Sequence, residues 1–303
     1  MLRRALILWG AMISVIPVLF ALSASGLGIQ YSQEEFTDSR LPTVSGCFGR
    51  QKNGTDNSWD RERCTFGVRN SPNTLLIVGD STVASMTDGI VAAAAGLDVE
   101  IVAFPSRGCS FTSRAPHSYE WCVDYFQKSI DLAMEMLPDG VIISNYLSRM
   151  DLNDRRIQFA DGKLPDSREQ RLDSTVQALD EAIESLRRIS KNVPILIVQE
   201  VPTIPFRRPS VLLNKSASPT LNKNSRAFLR QREYIFAVEE LIKSHRNITA
   251  INPETVFCND SRCFSETPDG APLYMDSYHI NPRGSMLLTG QFKKWIVDEL
   301  QES

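Results

Sequence analysis

Residues 74–81 read TLLIVGDS, an apolar run that ends in a glycine, an aspartate and a serine. A continuous apolar run bounded by turn residues is typical of a strand buried on both faces of a parallel sheet. A serine that follows such a strand and begins a helix projects its hydroxyl into the cleft at the sheet edge. There the helix N-terminus and free backbone N–H groups stabilise a developing oxyanion. Asp80 and Ser81 are also ordinary helix-capping residues, so this motif alone does not establish chemistry.

Apolar runs and helical patterns alternate along the rest of the chain. We predict further strands over 99–104, 140–145, 194–201 and 248–251, and helices over 82–95, 122–136, 167–189, 225–244 and 284–300. The helix at 167–189 is the clearest, because its apolar residues recur at spacings of four and three and Ser167 with Gln170 forms a potential capping box. The alternation predicts an α/β protein whose parallel sheet is covered on both faces, with the site at the carboxyl ends of the strands. The loop over 202–224 is either a substrate-side element or a disordered one.

Composition excludes several classes of protein. The 303 residues are 42% hydrophobic, which is enough for a sizeable core and rules out wholesale disorder. A net charge of −3 argues against a dedicated nucleic-acid binder. Neither nucleotide-binding loop pattern occurs, and no spacing of metal ligands stands out, so we predict no cofactor and no metal.

The N-terminus predicts export. Arg3 and Arg4 precede an apolar run over 5–24, and about 20 apolar residues can span a bilayer as a helix. The basic flank places the remainder of the chain outside the cytoplasm. Two interpretations remain open: an inner-membrane anchor with the domain in the periplasm or at the cell exterior, or a signal peptide cleaved near Ser25 to give a secreted periplasmic protein.

The cysteines agree with export and form three pairs that are close in sequence: Cys47 and Cys64, Cys109 and Cys122, Cys258 and Cys263. Six cysteines allow about 15 connectivities, of which neighbour pairing is the simplest. A zinc site at the third pair is the alternative, but no second pair of ligands has suitable spacing. The polar stretch over 27–72 is interpreted as an extension stapled by the first pair and lying outside the core. We therefore divide the chain into a membrane segment (1–26), this extension (27–72) and one domain (73–303).

A second motif strengthens the interpretation of Ser81 as a nucleophile. Asp276 and His279 lie three residues apart on a loop just before the last predicted helix. A nucleophilic serine needs a base to take its proton and a carboxylate to fix the imidazole tautomer. Because this loop and Ser81 both belong at the same end of the sheet, we predict a Ser81–His279–Asp276 catalytic triad. His117 and His245 are expected at the surface.

These motifs carry a resemblance. The stretches LLIVGDS (75–81), VFCNDSRCF (256–264) and PLYMDSYHINPRGSMLL (272–288), with the Arg107-Gly108-Cys109 loop, resemble the SGNH (GDSL-type) hydrolase superfamily. The chain is most similar to the extracytoplasmic SGNH domain fused to membrane acyltransferases of the acyltransferase-3 family. The resemblance covers residues 73–300. It implies a three-layer α/β/α sandwich with a flavodoxin-like parallel sheet.

The resemblance also implies roles. Ser81 would be the nucleophile, and the oxyanion hole would be formed by the N–H groups of Ser81 and Gly108 and by Asn145. The segment around Asn145 departs from the family pattern, because ISNY (143–146) stands where the family has Gly-x-Asn-Asp. Arg107, Arg114 and Arg149 are candidates to flank the site.

The function implied by the resemblance is the transfer of an acyl group, usually acetyl, through acyl-Ser81 to a cell-surface polysaccharide. The partners would be the carbohydrate acceptor, the membrane through residues 5–24, and a multi-helix membrane acyltransferase as donor. Two alternatives stay open. The chain could be a stand-alone carbohydrate or lipid acyl esterase of the same fold, or a non-catalytic glycan-binding module.

Overall fold

A computed structural model describes residues 46–48, 59–151, 155–204 and 221–301 of the chain. The predicted membrane segment at 5–24 lies outside these ranges. Residues 205–220 of the predicted long loop also lie outside them. Within the described ranges, no helix combines the length and the apolar character that crossing a bilayer requires.

Eight strands occur in the described ranges. They are β1 (Thr65–Gly67), β2 (Thr74–Gly79), β3 (Glu100–Pro105), β4 (Gly140–Ser144), β5 (Ile195–Val198), β6 (Leu221–Asn222), β7 (Ile248–Ile251) and β8 (Arg262–Cys263). Six of them form one sheet in the order β1-β3-β2-β4-β5-β7. All neighbours in this sheet are parallel except β1, which pairs antiparallel with β3. The strands β6 and β8 form a separate antiparallel ribbon.

The helices are α1 (Ser81–Ala93), α2 (Trp121–Met136), α3 (Arg168–Ile189), α4 (Arg226–Lys243), α5 (Glu254–Phe257), α6 (Pro282–Met286) and α7 (Thr289–Leu300), with a 3₁₀ helix at Leu147–Asp151. The predicted capping box of α3 is present. The Ser167 side chain accepts from the N–H of Gln170, and the Gln170 side chain accepts from the N–H of Ser167. Each of these two side chains therefore accepts from a backbone N–H at the start of the helix that has no carbonyl partner within the helix.

Helices cover the sheet on both faces, as predicted. Along β2, Leu75 and Ile77 pack into a core with residues of α1 and α7, whereas Leu76 and Val78 pack into a core with residues of α2, α3 and α4. This alternation follows from the period of two along a strand. Because both faces are buried, the strand is apolar throughout, and the architecture is a three-layer α/β/α fold with a mainly parallel sheet.

The interpretation of residues 27–72 as an extension outside the core is wrong for its described part. Phe48 and Cys64 are buried against the α1 and α7 core, and Thr65–Gly67 forms the edge strand β1. The strand could not be found from the pattern, because only Phe66 is apolar among its three residues.

Two further bounds differ from the sequence prediction. The strand β5 ends at Val198 rather than at residue 201. The last predicted helix, over 284–300, is broken between Met286 and Thr289. The Ser285 hydroxyl accepts from the N–H of Gly89 and donates to the carbonyl of Met86, which holds α6 on α1. Leu288 is buried directly afterwards, and α7 begins at Thr289.

Candidate active site

The turn between β2 and α1 positions Ser81 at the carboxyl edge of the sheet. Ser81 is the first residue of α1, and Asp80 caps that helix by accepting from the N–H of Thr82 at 2.8 Å. Gly79 has a φ of 141°, and a Cβ at this position would lie 2.0 Å from the carbonyl oxygen of Ser144. Only glycine allows the ends of β2 and β4 to approach this closely, so the sharp turn that presents Ser81 depends on it.

The structure brings the three predicted catalytic residues together. The Oγ of Ser81 lies 2.7 Å from Nε2 of His279, although the two residues are 198 positions apart. The other ring nitrogen, Nδ1, lies 2.7 Å from Oδ2 of Asp276. This is the hydrogen-bonded chain that a serine nucleophile, a base and an orienting carboxylate require.

Asp276 is held as an anion. Its burial raises the pKa of the carboxyl, but the hydrogen bond and charge of His279 and two backbone N–H groups outweigh burial, so the pKa is lowered overall. The backbone donors are those of Tyr278 at 2.9 Å and His279 at 2.8 Å. An ionised Asp276 holds the proton on Nδ1 of His279, which leaves Nε2 free to accept the proton of Ser81.

Asp80 connects three segments around the nucleophile. One of its oxygens accepts from the N–H and hydroxyl of Thr82, and the other accepts from the N–H of Tyr146 at 2.8 Å and from the hydroxyl of Ser110 at 3.2 Å. The sequence indicates only a helix cap at this position, because the other partners are distant in the chain. The buried carboxylate therefore aligns α1, the loop after β3 and the end of β4.

Gly108 lies in the loop after β3, and Asn145, directly after β4, contacts the same loop. Gly108 has a φ of 83°, and the next residue is bonded to α2 through the Cys109–Cys122 disulfide. Asn145 is buried, and its side chain accepts from the N–H of Phe111 at 2.8 Å and donates to the Phe111 carbonyl at 3.3 Å. The observed contacts make Asn145 a support of the loop, and its role in an oxyanion hole stays a prediction.

Two buried side chains near the site were not predicted from the sequence. The Tyr125 hydroxyl accepts from the N–H of Gly79 at 2.8 Å, and it lies 2.9 Å from the carbonyl oxygen of Phe104. Burial raises the pKa of Tyr125, so this hydroxyl keeps its proton. Glu200 accepts from the N–H and the hydroxyl of Ser148, both at 2.6 Å. Burial, with a contribution from the charge of Asp80, raises the pKa of Glu200 to about 8. No periodicity distinguishes a single tyrosine or glutamate of this kind.

With this geometry established, comparison with known proteins decides the family. A family model described as the SGNH domain fused to AT3 domains matches residues 46–294. The chain belongs to this SGNH domain family. The match begins before Cys47, so the domain includes the strand β1 that the predicted boundary at residue 73 leaves out. A comparison with curated proteins gives no match.

Solved structures share the fold. The periplasmic domain of a lipopolysaccharide acetyltransferase from Salmonella ser. Paratyphi A is 15% identical with a TM-score of 0.62, over 90% of this chain and 98% of that one. An acetylxylan esterase mutant from Geobacillus stearothermophilus is 14% identical with a TM-score of 0.46, over 76% of this chain and 95% of that one. A family 3 carbohydrate esterase from Clostridium thermocellum is 11% identical with a TM-score of 0.46, over 76% of this chain and 98% of that one. Identities this low establish the fold alone.

One of the three predicted flanking arginines lies beside Tyr278, the residue that precedes His279. The rings of Tyr146 and Tyr278 stack with centroids 5.1 Å apart, and Tyr278 contacts the His279 ring at 4.4 Å. The Arg149 guanidinium lies 5.7 Å from the centroid of Tyr278. The other two arginines are engaged elsewhere: Arg107 lies over the ring of Phe48, and Arg114 pairs with Glu181.

The remaining histidines of the SGNH domain take no part in this site. His117 is exposed, as expected. His245 is mostly buried rather than at the surface, because Asp180 and Arg187 each lie 2.7 Å from one of its ring nitrogens. Asp180, Glu184 and His245 are close enough to share a metal. The Arg187 guanidinium already occupies this cluster, which makes it an ion-pair network.

The structure contains the three neighbour disulfides, Cys47–Cys64, Cys109–Cys122 and Cys258–Cys263. The third disulfide joins Cys258 to Cys263 of β8, the pair for which the sequence leaves zinc binding as the alternative. No free cysteine occurs among the residues that the structure describes.

Proposed function

We propose that the chain is an extracytoplasmic serine O-acyltransferase that moves an acyl group, acetyl above all, to a hydroxyl of a cell-surface polysaccharide. The observation that carries the proposal is the hydrogen-bonded chain from Ser81 through His279 to Asp276 in a domain of the SGNH family. The structural relative from Salmonella, the periplasmic domain of a lipopolysaccharide acetyltransferase, supports the choice of an acetyl group and a polysaccharide.

The first half-reaction loads Ser81. His279 Nε2 takes the proton from Oγ as that oxygen attacks the carbonyl carbon of the donor ester. The resulting oxyanion is stabilised by the N–H groups of Ser81 and Gly108, with Asn145 supporting the loop that carries Gly108. The intermediate then expels the donor oxygen, which takes the proton from His279, and an acyl-Ser81 ester remains. Asp276 stabilises the imidazolium that forms in between.

The second half-reaction unloads Ser81. His279 takes the proton of an acceptor hydroxyl, whose oxygen attacks the acyl carbonyl of the ester. The intermediate expels Ser81 Oγ, which recovers its proton from His279, and the acyl group is now on the acceptor. Water in place of the sugar hydroxyl would give hydrolysis with the same residues, so access of the acceptor decides between transferase and esterase.

We place the acyl donor in a multi-helix membrane acyltransferase, because the family model describes a domain fused to AT3 domains. The apolar segment over 5–24 would anchor the SGNH domain at the outer face of the inner membrane, with a secreted periplasmic form as the alternative. The three disulfides favour such an oxidising compartment.

A fluorophosphonate probe tests whether Ser81 is a nucleophile. We expect the full chain to be labelled, the Ser81→Ala variant to remain unlabelled, and the exposed-serine control Ser244→Ala to be labelled like the wild type. Circular dichroism of all three proteins confirms that they are folded. A folded wild type that takes no label would contradict the enzyme and favour the glycan-binding module.

A product assay separates transfer from hydrolysis. The protein is incubated with an activated acetyl ester, with and without an oligosaccharide acceptor, and products are resolved by mass spectrometry. Acetylated oligosaccharide that requires Ser81 is the expected result. Acetate as the sole product under both conditions would instead support the stand-alone esterase.

A further inference from the structure

The loop that carries His279 also carries an aromatic ring that faces the end of β4. Tyr278 stacks on Tyr146 with an interplanar angle of 23°, and its ring lies against His279. Tyr146 is itself held by a contact of 3.2 Å between its hydroxyl and that of Thr203. Tyr278 is only half-buried. The two tyrosines therefore form a partly accessible aromatic wall directly beside the base that must activate the acceptor hydroxyl.

A cation completes this wall. Arg149 lies one turn after Tyr146, and the Arg149 N–H donates to the Tyr146 carbonyl. The Arg149 guanidinium lies over the ring of Tyr278. Arg114, in contrast, pairs with Glu181. Asp151, two residues further along the chain, pairs with Arg168, Arg171 and Arg230, and none of the described carboxylates pairs with Arg149. A guanidinium carries five N–H donors, which suit it to hold a ligand at the rim of the site.

The nearby acids form their hydrogen bonds with groups other than this cation. Asp276 is committed to His279 and to two backbone N–H groups. Glu200 is buried on Ser148, and because burial raises its pKa to about 8 it is mostly uncharged at neutral pH. The wall therefore places a guanidinium that pairs with none of the described carboxylates next to an aromatic face.

We propose that Tyr278 and Arg149 form an acceptor subsite for an anionic sugar unit. This deepens the proposed function and rests on it: the acceptor would be a polysaccharide with carboxylate or phosphate groups. A guanidinium binds either anion through paired N–H donors, and an aromatic ring offers an apolar face of about the size of a sugar ring. Tyr278 would place the sugar against His279, and Arg149 would hold its anionic substituent.

Acceptor competition tests the subsite through a ratio of rates. Acetyl transfer from an activated acetyl ester is measured to two matched pairs of acceptors, digalacturonate against digalactose and galactose 6-phosphate against galactose. In the wild type we expect the anionic member of at least one pair to react faster. Arg149→Gln should lower that ratio about tenfold, the loss typical of one hydrogen bond to a charged group. The control Arg188→Gln, at an exposed arginine of α3, should keep the wild-type ratio.

The acceptor pair whose rate ratio falls in Arg149→Gln identifies the anion. A fall for the digalacturonate pair indicates a uronate, and a fall for the galactose 6-phosphate pair indicates a phosphate. A ratio that is the same in the wild type and in Arg149→Gln, for both pairs, would overturn the subsite. Tyr278→Leu provides a second variant, and it should raise the KM for both members of a pair because leucine lacks the flat aromatic ring on which a sugar packs.

A binding measurement keeps the subsite separate from the acyl chemistry. Full-chain Ser81→Ala is titrated with digalacturonate, digalactose and the two galactose ligands by calorimetry, and the double variant with Arg149→Gln is compared. We expect anion-selective binding that weakens about tenfold in the double variant. Such binding in a protein whose wild type transfers no acyl group would support the subsite and refute the transferase. Equal affinity for charged and neutral sugars would refute the subsite, whatever the catalytic result.

Discussion

Glu200 is a buried carboxylic acid that holds the 3₁₀ helix beside the site, and its burial favours the protonated form. It directly follows β5 and Gln199, is 4% exposed, and holds Ser148 of the 3₁₀ helix through two hydrogen bonds. Burial raises its pKa to about 8. In the protonated form one oxygen accepts from the Ser148 N–H and the other shares a proton with the Ser148 hydroxyl. The residue therefore links β5 to the segment that carries Tyr146 and Arg149.

This coupling predicts that Glu200→Gln changes the dependence of stability on pH. Between its ordinary pKa of 4.5 and about 8, the folded protein keeps a proton that the unfolded chain releases. Stability must therefore fall as the pH rises through this window, by at most about 1.4 kcal/mol per pH unit. Glutamine keeps an acceptor and a fixed donor, so the variant should be more stable than the wild type at pH 8 and similar to it near pH 4.5.

Urea unfolding between pH 4.5 and 8.5 measures the effect as a difference in the free energy of unfolding. Glu169→Gln, at an exposed position in the first turn of α3, serves as the control and should keep the wild-type slope. Parallel curves for the wild type and Glu200→Gln would show that Glu200 is ionised in the folded state.

The proximity of Ser81, His279 and Asp276 could be predicted from residue types and spacing, whereas the groups that support these three side chains could not. Few functions other than a serine nucleophile with its base require this combination. It consists of an aspartate and a histidine three residues apart and a serine that follows a buried strand. Tyr125, in contrast, lies within an ordinary amphipathic helix, and only the folded chain shows that its hydroxyl meets the backbone of Gly79. Asn145 was assigned by resemblance, and its observed partner is the backbone of Phe111.

At the scale of the elements, the site depends on the close approach of β2 and β4. The register pairs Gly79 with Ser144, and an added Cβ at Gly79 would collide with the Ser144 carbonyl. We predict that Gly79→Ala costs more than about 4 kcal/mol, since it combines a steric clash with an unfavourable φ. Gly96→Ala is the matched control. Gly96 also has a positive φ, of 79°, but open space around it, so the loss should be about 1 kcal/mol.

Chemical denaturation of both variants measures these losses, and the fluorophosphonate probe reports whether Ser81 is still presented. We expect Gly79→Ala to lose labelling in whatever fraction remains folded and Gly96→Ala to keep it. Equal losses of stability in the two variants would show that positive φ alone accounts for the effect and that the strand ends can separate.

Elements were predictable where hydrophobic periodicity extends over enough residues. The strands β2 and β7 and the helices α2 and α3 lie within a residue or two of their predicted bounds. The strand β1 was missed because its antiparallel pairing with β3 is a long-range property of a short polar segment. The break between α6 and α7 was missed for a related reason: the contacts of Ser285 with α1 are tertiary, and no helix-breaking residue marks the position.

At the scale of the whole molecule, the disulfides differ in what they hold. Cys109–Cys122 ties the loop next to Gly108 onto α2, whereas Cys258–Cys263 closes a short segment beside β8. The sequence separations are 13 and 5 residues. The chain-entropy estimate therefore gives about 3 kcal/mol for the first bond and about 2 kcal/mol for the second. The two losses of stability should be similar, whereas the losses of activity should not.

We predict that Cys109→Ala with Cys122→Ala slows fluorophosphonate labelling of Ser81 in the folded protein at least tenfold, because an unfastened loop no longer holds an oxyanion N–H in place. Cys258→Ala with Cys263→Ala should leave the labelling rate close to that of the wild type. Both pairs are compared at a urea concentration well below their unfolding midpoints, so that only folded molecules react. If the two double variants are labelled at the same rate, Gly108 lies in a loop that α3 and Asn145 position without the disulfide. In that case the bond contributes to the stability of the exported domain and not to its chemistry.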